Sequence, residues 1–207
     1  MGSAREVPAR PVFLHSRSNE WYTPDAFLAL VRRMFAPGGI DLDPCSSVAA
    51  NTRVGAARII TSEEDGLHPR HEYAGNVFAN PPFGASGNRS TQSLFFERVV
   101  QEYEAGRVRQ AVVLLKAGVG YRWFRSVLRW PVCFLWERLA FVRPAEREQG
   151  AELRWGDHAH NPHGSVAVYL GPQVARFVEV FGAVGDVPGA NTWAYVPPQA
   201  GAAMAEA

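Results

Sequence analysis

Cysteine and long apolar runs are scarce in this chain of 207 residues, and each scarcity excludes a class of protein. The two cysteines, Cys45 and Cys133, lie far apart, which excludes a disulfide framework and a cysteine-based zinc site. No apolar run approaches the ~20 residues that a membrane helix needs. The first ten residues also lack the apolar core of a secretory signal. We therefore expect a cytoplasmic protein with no membrane partner and no bound metal.

The composition is that of one ordinary globular domain, with 47% apolar and 20% charged residues. Lys116 is the only lysine, and the net charge is +1, so binding to a polyanion would depend on local clusters of arginine. We predict a flexible lead-in over residues 1–18 and a single domain over 19–184. Residues 185–207 are rich in Gly, Pro and Ala, which predicts a tail.

Apolar periodicity and turn residues predict strands that alternate with helices. The predicted helices are Pro24–Phe35, Ser93–Ala105, Tyr121–Arg129 and Gln173–Phe181. The predicted strands are Ile40–Asp43, Ala57–Ile60, Val77–Asn80, Gln110–Leu115, Val132–Trp136, Leu139–Val142 and Ser165–Leu170. This alternation predicts an α/β fold with a mostly parallel sheet and an antiparallel strand near the C-terminus. The segments 61–76 and 143–164 are predicted as loops.

A tetrad at the end of a predicted strand carries the clearest chemical signal: Asn80, Pro81, Pro82 and Phe83. It suits methylation of a planar amine, whose nitrogen lone pair is delocalised. The Asn80 side-chain oxygen and the Pro81 carbonyl can accept the two amine protons, which stabilises charge developing at the nitrogen. Phe83 can stack on the face of a base. The alternative is a proline-rich turn that merely ends the strand, with an ordinary core phenylalanine.

Two other segments have the character of ligand-binding turns. Residues Asp41 and Asp43 end a short predicted strand, and the small residues Pro44, Cys45 and Ser46 follow. Nucleotide-like ligands bind at such strand ends in open α/β sheets. Upstream, Thr23 is predicted as a helix N-cap and Pro24 as the first helical residue. The aromatic residues before them either line a ligand pocket or pack the helix start against the core. These aromatics are Trp21 and Tyr22.

Taken together, these motifs resemble the phage-type DNA N6-adenine methyltransferases, the Dam family. The matching segments are Trp21–Pro24, Asp41–Ser46, Asp65–Leu67 and Asn80–Gly84, in that order. The resemblance extends over about residues 19–171. Phe83 stands where the family more often has tyrosine, which keeps a stacking ring but loses a hydroxyl. Lys116 stands where the family tends to have proline.

The resemblance implies a Rossmann-like, S-adenosylmethionine-dependent methyltransferase of a bacterium or a phage-infected host. It would methylate the exocyclic nitrogen of a flipped adenine in double-stranded DNA, with Asn80, Pro81, Pro82 and Phe83 as the catalytic residues. An acidic residue after the second strand would bind the cofactor ribose, and Glu63, Glu64 and Asp65 compete for that role. The implied cofactor-binding residues are Trp21, Tyr22, Thr23, Pro24, Asp41, Asp43, Pro44, Cys45, Ser46, Glu63 and Asp65. The candidate DNA-binding residues are Arg89, Lys116 and Arg138.

Several alternatives remain open at this point. The same tetrad suits the amino group of cytosine in DNA, an adenine in RNA or the side-chain amide of a protein glutamine, because all three are planar amines. A nucleic-acid-binding module that keeps the fold without the chemistry is an alternative of another class. The loops 84–91 and 143–164 are either DNA-contacting surfaces or ordinary surface loops.

Overall fold

The architecture comes from a computed structural model that describes residues 22–144, 155–160 and 163–189, with only the backbone for 143–144 and 155–160. The described helices are α1 (Asp25–Phe35), α2 (Val48–Val54), α3 (Thr91–Glu104), α4 (Phe124–Val127) and α5 (Val174–Phe181). The described strands are β1 (Leu42–Asp43), β2 (Arg58–Ile59), β3 (Gly75–Ala79), β4 (Ala85–Ser86), β5 (Arg89–Ser90), β6 (Val108–Lys116), β7 (Val132–Leu135), β8 (Ala140–Pro144), β9 (Trp155–His160), β10 (Ser165–Leu170) and β11 (Gly185–Asp186). No described helix has the length and apolar character needed to cross a bilayer.

Within the described residues, the central sheet has seven strands in the order β11-β7-β10-β6-β3-β1-β2. The strands β2, β1, β3 and β6 pair in parallel, and β10 pairs antiparallel with both β6 and β7. The predicted mixed α/β fold, its mostly parallel sheet and its antiparallel strand near the C-terminus are therefore confirmed. Because parallel strands end at the same edge, the residues that follow β1, β2, β3 and β6 meet there.

The core forms two apolar layers, one on each face of the sheet. Alternate strand residues point to opposite faces. Val112, Leu114 and Ala167 pack with α1 and α5, which contribute buried aromatic and aliphatic side chains such as Phe27 and Phe177. Their strand neighbours, including Val113, pack on the other face with residues of α3 and α4 such as Phe96, Val99, Phe124 and Val127. The helices on both faces leave the strand ends accessible at the edge.

The central sheet has seven strands, but they are not the seven predicted, because β8, predicted as Leu139–Val142, pairs with β9 in a separate two-stranded sheet. Between β2 and β3 the described chain forms turns without a strand, and the seventh strand is β11 at the opposite edge. Gly185 and Asp186 pair with Leu135 and Phe134 of β7, so the segment predicted as a tail contributes to the sheet. A β-carbon at Gly185 would lie 2.4 Å from the Phe134 carbonyl oxygen, so this edge pairing depends on glycine. A strand of two residues leaves no periodic pattern in the sequence.

Besides β11, four short elements were not predicted. Helix α2 follows Ser47, whose Oγ accepts a hydrogen bond of 3.1 Å from the N–H of Ala50, and it ends at Gly55 in the left-handed conformation. Strands β4 and β5 form a hairpin within the loop predicted over 84–91. Strand β9 pairs antiparallel with β8, which corrects the prediction of an irregular loop over 143–164.

Two helix predictions also need correction. Pro24, and not Thr23, is the N-cap of α1, and its carbonyl accepts the backbone N–H groups of Phe27 and Leu28 at 3.1 Å. The helix predicted over Tyr121–Arg129 contains only one turn of α-helix, α4, with hydrogen-bonded turns on both sides. In both cases a helix is present in the predicted segment, but it begins or ends at residues other than those predicted.

Candidate active site

A cavity of about 310 Å³ lies at the edge where β1, β2 and β3 end. It is within the size range of small-molecule sites. The described residues that line it come from the turns after these strands, from the segment before α1, and from α2, β4 and α3. They include the predicted residues Tyr22, Thr23, Asp43, Pro44, Cys45, Ser46, Asp65, Asn80, Pro81, Pro82 and Phe83. The fold thus brings segments that are far apart in sequence to one cavity.

The side chain of Asn80 is held from the start of α1. Its Nδ2 donates a hydrogen bond of 3.1 Å to Oγ1 of Thr23, which is only 5% exposed. The threonine that was predicted to cap the helix therefore contacts the Asn80 amide instead. Because the donor side of the amide faces Thr23, the orientation of its carbonyl oxygen is set as well.

The carbonyl group of Pro81 is held by a residue that sequence reasoning missed. Gln92, in the first turn of α3, is 3% exposed, and its Nε2 donates to the Pro81 oxygen at 3.4 Å. Its Oε1 accepts the backbone N–H of Lys116 at 3.2 Å. Because a backbone N–H can only donate, this second bond fixes which end of the Gln92 amide faces Pro81. Sequence offered no signal for this role, because the predicted helix began at Ser93, one residue after Gln92, whereas α3 begins at Thr91.

Phe83 lines the cavity and is partly exposed. Its ring meets the ring of Phe141 edge-to-face, with centroids 6.4 Å apart and planes at 85°. Phe141 is buried on β8. The next residue of that strand, Val142, exchanges two backbone hydrogen bonds of 3.0 Å with Tyr22. Strand β8 therefore connects the Phe83 ring with the segment that precedes α1.

Asp43 provides a buried carboxyl group inside the cavity, with 4% exposure. Burial raises the pKa of this group to about 6, and the hydrogen bond of 3.2 Å from the backbone N–H of Cys45 offsets part of the rise. Burial also raises the pKa of the Cys45 thiol well above its usual value, and the adjacent Asp43 raises it further. Cys45 is therefore an uncharged, small residue here, and Asp43 changes charge near neutral pH.

The turn after β1 places polar groups at the cavity. Ser46 Oγ is buried close to Asp43, and its interaction with that carboxyl group offsets part of the rise that burial causes in the pKa of Asp43. Gly66 packs against the same turn so closely that a β-carbon there would lie 2.0 Å from the Pro44 carbonyl oxygen. These features fit the amino-acid and ribose parts of S-adenosylmethionine, which are rich in hydrogen-bonding groups.

Of the three acidic residues that competed for a ribose, Asp65 faces the cavity. Asp65 has a φ of 60°, an uncommon value for a non-glycine residue, and its Oδ1 accepts the backbone N–H of Leu67 at 3.1 Å. Glu64 instead accepts the backbone N–H of Thr61 at 2.9 Å through Oε2. Neither Glu64 nor Glu63 is among the lining residues.

Asp41, which was predicted as a cofactor-binding residue together with Asp43, is not among the residues that line the cavity. Its Oδ2 accepts the backbone N–H of Asn76 at 2.7 Å and pairs with Arg109 at 3.2 Å. Asp41 lies two positions before Asp43, which is roughly 7 Å along a strand. Asp41 is therefore farther from the carboxyl edge of the sheet. Asp41 therefore joins the beginnings of β1 and β3. Sequence alone does not distinguish two acidic residues on one strand.

The remaining predicted residues lie away from the cavity or outside the described part of the chain. Trp21 is outside the described residues, and Pro24 is absent from the cavity lining. None of the three candidate DNA-binding residues lines the cavity. Arg89 forms an ion pair with Glu97, Arg138 is exposed, and the ammonium of Lys116 lies 4.3 Å from the centre of the Tyr121 ring.

Sequence reasoning missed the contribution of α2 because the helix itself was not predicted. Ala50, Arg53 and Val54 of this helix line the cavity, as do Phe95 and Thr91 of α3. Among the described lining residues, Arg53 has the only basic side chain.

Comparison with known proteins agrees with this geometry. No curated protein matches the chain. The sequence model of the family DNA N-6-adenine-methyltransferase (Dam) matches residues 13–174 of the 207. This match confirms the resemblance found in the motifs, and it covers every element from α1 to β10. The chain belongs to the Dam family of DNA adenine N6-methyltransferases.

Proposed function

We propose that the protein transfers a methyl group from S-adenosylmethionine to N6 of a flipped adenine in double-stranded DNA. The observation that carries this proposal is that Asp43 and Asn80 line one cavity, although they end two different strands. A methyl donor bound at Asp43 and an amine held at Asn80 would then lie next to each other. Placing the two reactants in line is the main task of such a catalyst.

The cofactor would lie on the side of the cavity formed by the turns after β1 and β2. Asp43 and Ser46 would hold its amino-acid part, with Tyr22 beside it, and Asp65 would bind the ribose hydroxyls. Bound there, the cofactor supplies a methyl group on a positively charged sulfur. This arrangement is the methyltransferase variant of a Rossmann-like fold, in which the ligand lies at the carboxyl ends of the strands.

The adenine would be held by the turn after β3. Asn80 Oδ1 and the Pro81 carbonyl oxygen would accept the two protons of the amine, so that positive charge at nitrogen is stabilised as it develops. Thr23 and Gln92 hold these two acceptors. Phe83 would stack on the base, which is worth roughly 1–3 kcal/mol. The methylated nitrogen loses a proton readily, so no dedicated base is needed.

Adenine inside a duplex cannot reach a cavity at the edge of the sheet, so the base must leave the stack. Flipping costs a few kcal/mol, which contacts such as those of Phe83 and Asn80 repay. Arg89, Lys116 and Arg138 remain the proposed contacts to DNA, where they would bind phosphate groups and steady the flipped state.

The proposal is tested by incubating the protein with methyl-labelled S-adenosylmethionine and unmethylated genomic DNA, followed by digestion to nucleosides. We expect label in N6-methyldeoxyadenosine, and no label with the Asn80→Ala variant. That variant should still bind S-adenosylhomocysteine. Label in deoxycytidine would show that the acceptor is cytosine. Label only in RNA or protein substrates would show that the acceptor is not DNA. Wild-type activity in Asn80→Ala would contradict the catalytic assignment.

A further inference from the structure

The segment from Lys116 to Trp130 carries a local concentration of positive charge. It contains four basic residues and no acidic residue, although the net charge of the whole chain is only +1. The basic residues are Lys116, Arg122, Arg125 and Arg129. The segment begins with the last residue of β6 and continues through α4. Sequence analysis singled out Lys116 as a candidate DNA-binding residue, but none of the three arginines that follow it.

These three arginines present their charge to solvent. Arg122, Arg125 and Arg129 are exposed, and their side chains form no ion pair or hydrogen bond with the other described residues. Arg98 and Arg107, which lie near α3, each pair with a glutamate instead. An ordinary solvated face mixes charges of both signs. A cluster of arginines without acidic neighbours is the electrostatic signature of a surface that binds a polyanion.

The segment leaves the sheet beside the turn that would hold the adenine. Strands β3 and β6 pair in parallel, so the turn after β3 and Lys116 at the end of β6 lie side by side at the carboxyl edge. The amide of Gln92 bridges them, because it contacts both the Pro81 carbonyl oxygen and the Lys116 N–H. A duplex that delivers a base to this turn therefore passes close to the start of the segment.

Exposed apolar side chains lie next to these charges in the chain. Val119 is 73% exposed, and Tyr121 is 54% exposed. The ammonium of Lys116 lies 4.3 Å from the centre of the Tyr121 ring and 3.3 Å from its hydroxyl oxygen. Surfaces that bind nucleic acid combine cations for the phosphates with aromatic rings that contact bases. This segment supplies both, so its charge and its side-chain types indicate the same partner.

We propose that the exposed surface of residues 116–125 binds the phosphate backbone of the DNA next to the flipped adenine, with Arg122 and Arg125 as the principal contacts. This inference rests on the proposed function. Arg129 contributes least, because the segment runs from the carboxyl edge, where β6 ends, to the opposite edge, where β7 begins. Phosphate contacts position a duplex without reading its sequence, so this surface serves any target site.

The test measures the binding of a fluorescent DNA duplex of about 30 base pairs by anisotropy over a series of salt concentrations. Arg122→Gln and Arg125→Gln should each reduce the slope of log Kd against log salt by about one, and together by about two. The double variant should bind the duplex roughly tenfold or more weakly at low salt. Its affinity for S-adenosylhomocysteine, measured by calorimetry, should stay within about threefold of wild type.

Arg33→Gln is the matched control, because it removes one exposed arginine from α1, on the other face of the sheet. We expect it to leave the salt slope unchanged. An equal effect of Arg33→Gln and Arg122→Gln would show that only total charge matters and would overturn the proposal.

Three further outcomes decide the matter. Wild-type DNA affinity and salt slope in the double variant would overturn the proposed surface, while methylation of genomic DNA, measured separately, would remain. Tighter binding of a double-stranded RNA than of the DNA, abolished in the double variant, would assign the surface to RNA and overturn its role with DNA. A wild-type protein that neither binds nor methylates DNA would contradict the proposed function itself.

Discussion

Asn80 and Thr23 are separated by 57 residues in sequence, and their side chains form a hydrogen bond of 3.1 Å at the candidate active site. The bond joins the turn after β3 to the segment that begins α1. Both residues line the same cavity. The start of α1 therefore takes part in orienting the Asn80 amide as well as in lining the cavity.

Thr23→Val should lower kcat for methylation because the Asn80 amide loses the acceptor that orients it. A neutral hydrogen bond contributes about 0.5–1.5 kcal/mol, which corresponds to a decrease of up to about tenfold. Single-turnover methylation rates would measure this. Thr23→Ser keeps the hydroxyl and should remain close to wild type. An unchanged rate in Thr23→Val would show that Asn80 needs no such support.

Gln92→Met should lower both stability and kcat, because one buried and one partly buried backbone group lose their partner. The Pro81 carbonyl and the Lys116 N–H would be left unsatisfied, at a cost of about 1–3 kcal/mol in the free energy of unfolding. Urea denaturation and methylation kinetics would report the two effects. Gln101→Met, at an exposed position of the same helix, is the matched control. Loss of stability without loss of kcat would limit Gln92 to a structural role.

Phe83→Ala should weaken binding of the target base far more than it weakens binding of the cofactor. Base stacking on an aromatic side chain is worth about 1–3 kcal/mol, so kcat/KM for DNA should fall roughly 5- to 150-fold. Affinity for S-adenosylhomocysteine, measured by calorimetry, should change by less than about threefold. Phe83→Tyr keeps the ring and should stay active. Equal losses for DNA and cofactor would indicate that the contact with Phe141 supports the fold.

Because Asp43 titrates, we expect stability and affinity for S-adenosylhomocysteine to change with pH in opposite directions. Its pKa in the free protein is raised from 3.8 to about 6, so the protonated form is favoured by folding. Its contribution to stability is therefore present at low pH and is lost as pH rises through about 6. The ammonium group of the cofactor prefers the ionised carboxylate, so affinity for S-adenosylhomocysteine should rise over the same range.

Calorimetry and thermal unfolding between pH 4.5 and about 7.5 would follow both dependences. The difference between wild type and Asp43→Asn isolates this group from the other carboxylates, because the asparagine variant does not titrate. An affinity for S-adenosylhomocysteine that does not depend on pH in the wild type would contradict the assignment of Asp43.

The parts of the fold that sequence predicted well are those with a long apolar pattern. The predicted strand Ser165–Leu170 has the observed bounds, and all six of its residues are buried. Helix α2 was missed because Val54 is its only fully buried residue, which leaves no apolar period to detect. Arg53 was missed with it. The site motifs were found because their residue types are chemically unusual at strand ends.

Contacts between distant segments could not be predicted from local pattern. Asp41 and Asp43 were both assigned to the end of one predicted strand, and only the pairing of β1 with its neighbours shows that Asp43 alone lines the cavity. Gln92 becomes important only once the ends of β3 and β6 are adjacent. Such contacts are determined by the order of the strands in the sheet.

The position of β10 between β6 and β7 also determines when this protein can acquire its structure during synthesis. Strands β6 and β7 do not pair with each other, and each pairs with β10. While the ribosome is still adding the residues between β7 and β10, the growing chain holds the parallel strands β2, β1, β3 and β6 with an unpaired edge at β6. Strand β7 then has no partner in the sheet, because β11 also follows β10 in sequence. Long-range strand pairing of this type is slow, and unpaired edges favour aggregation. The vulnerable period of biosynthesis therefore ends only when the antiparallel strand emerges.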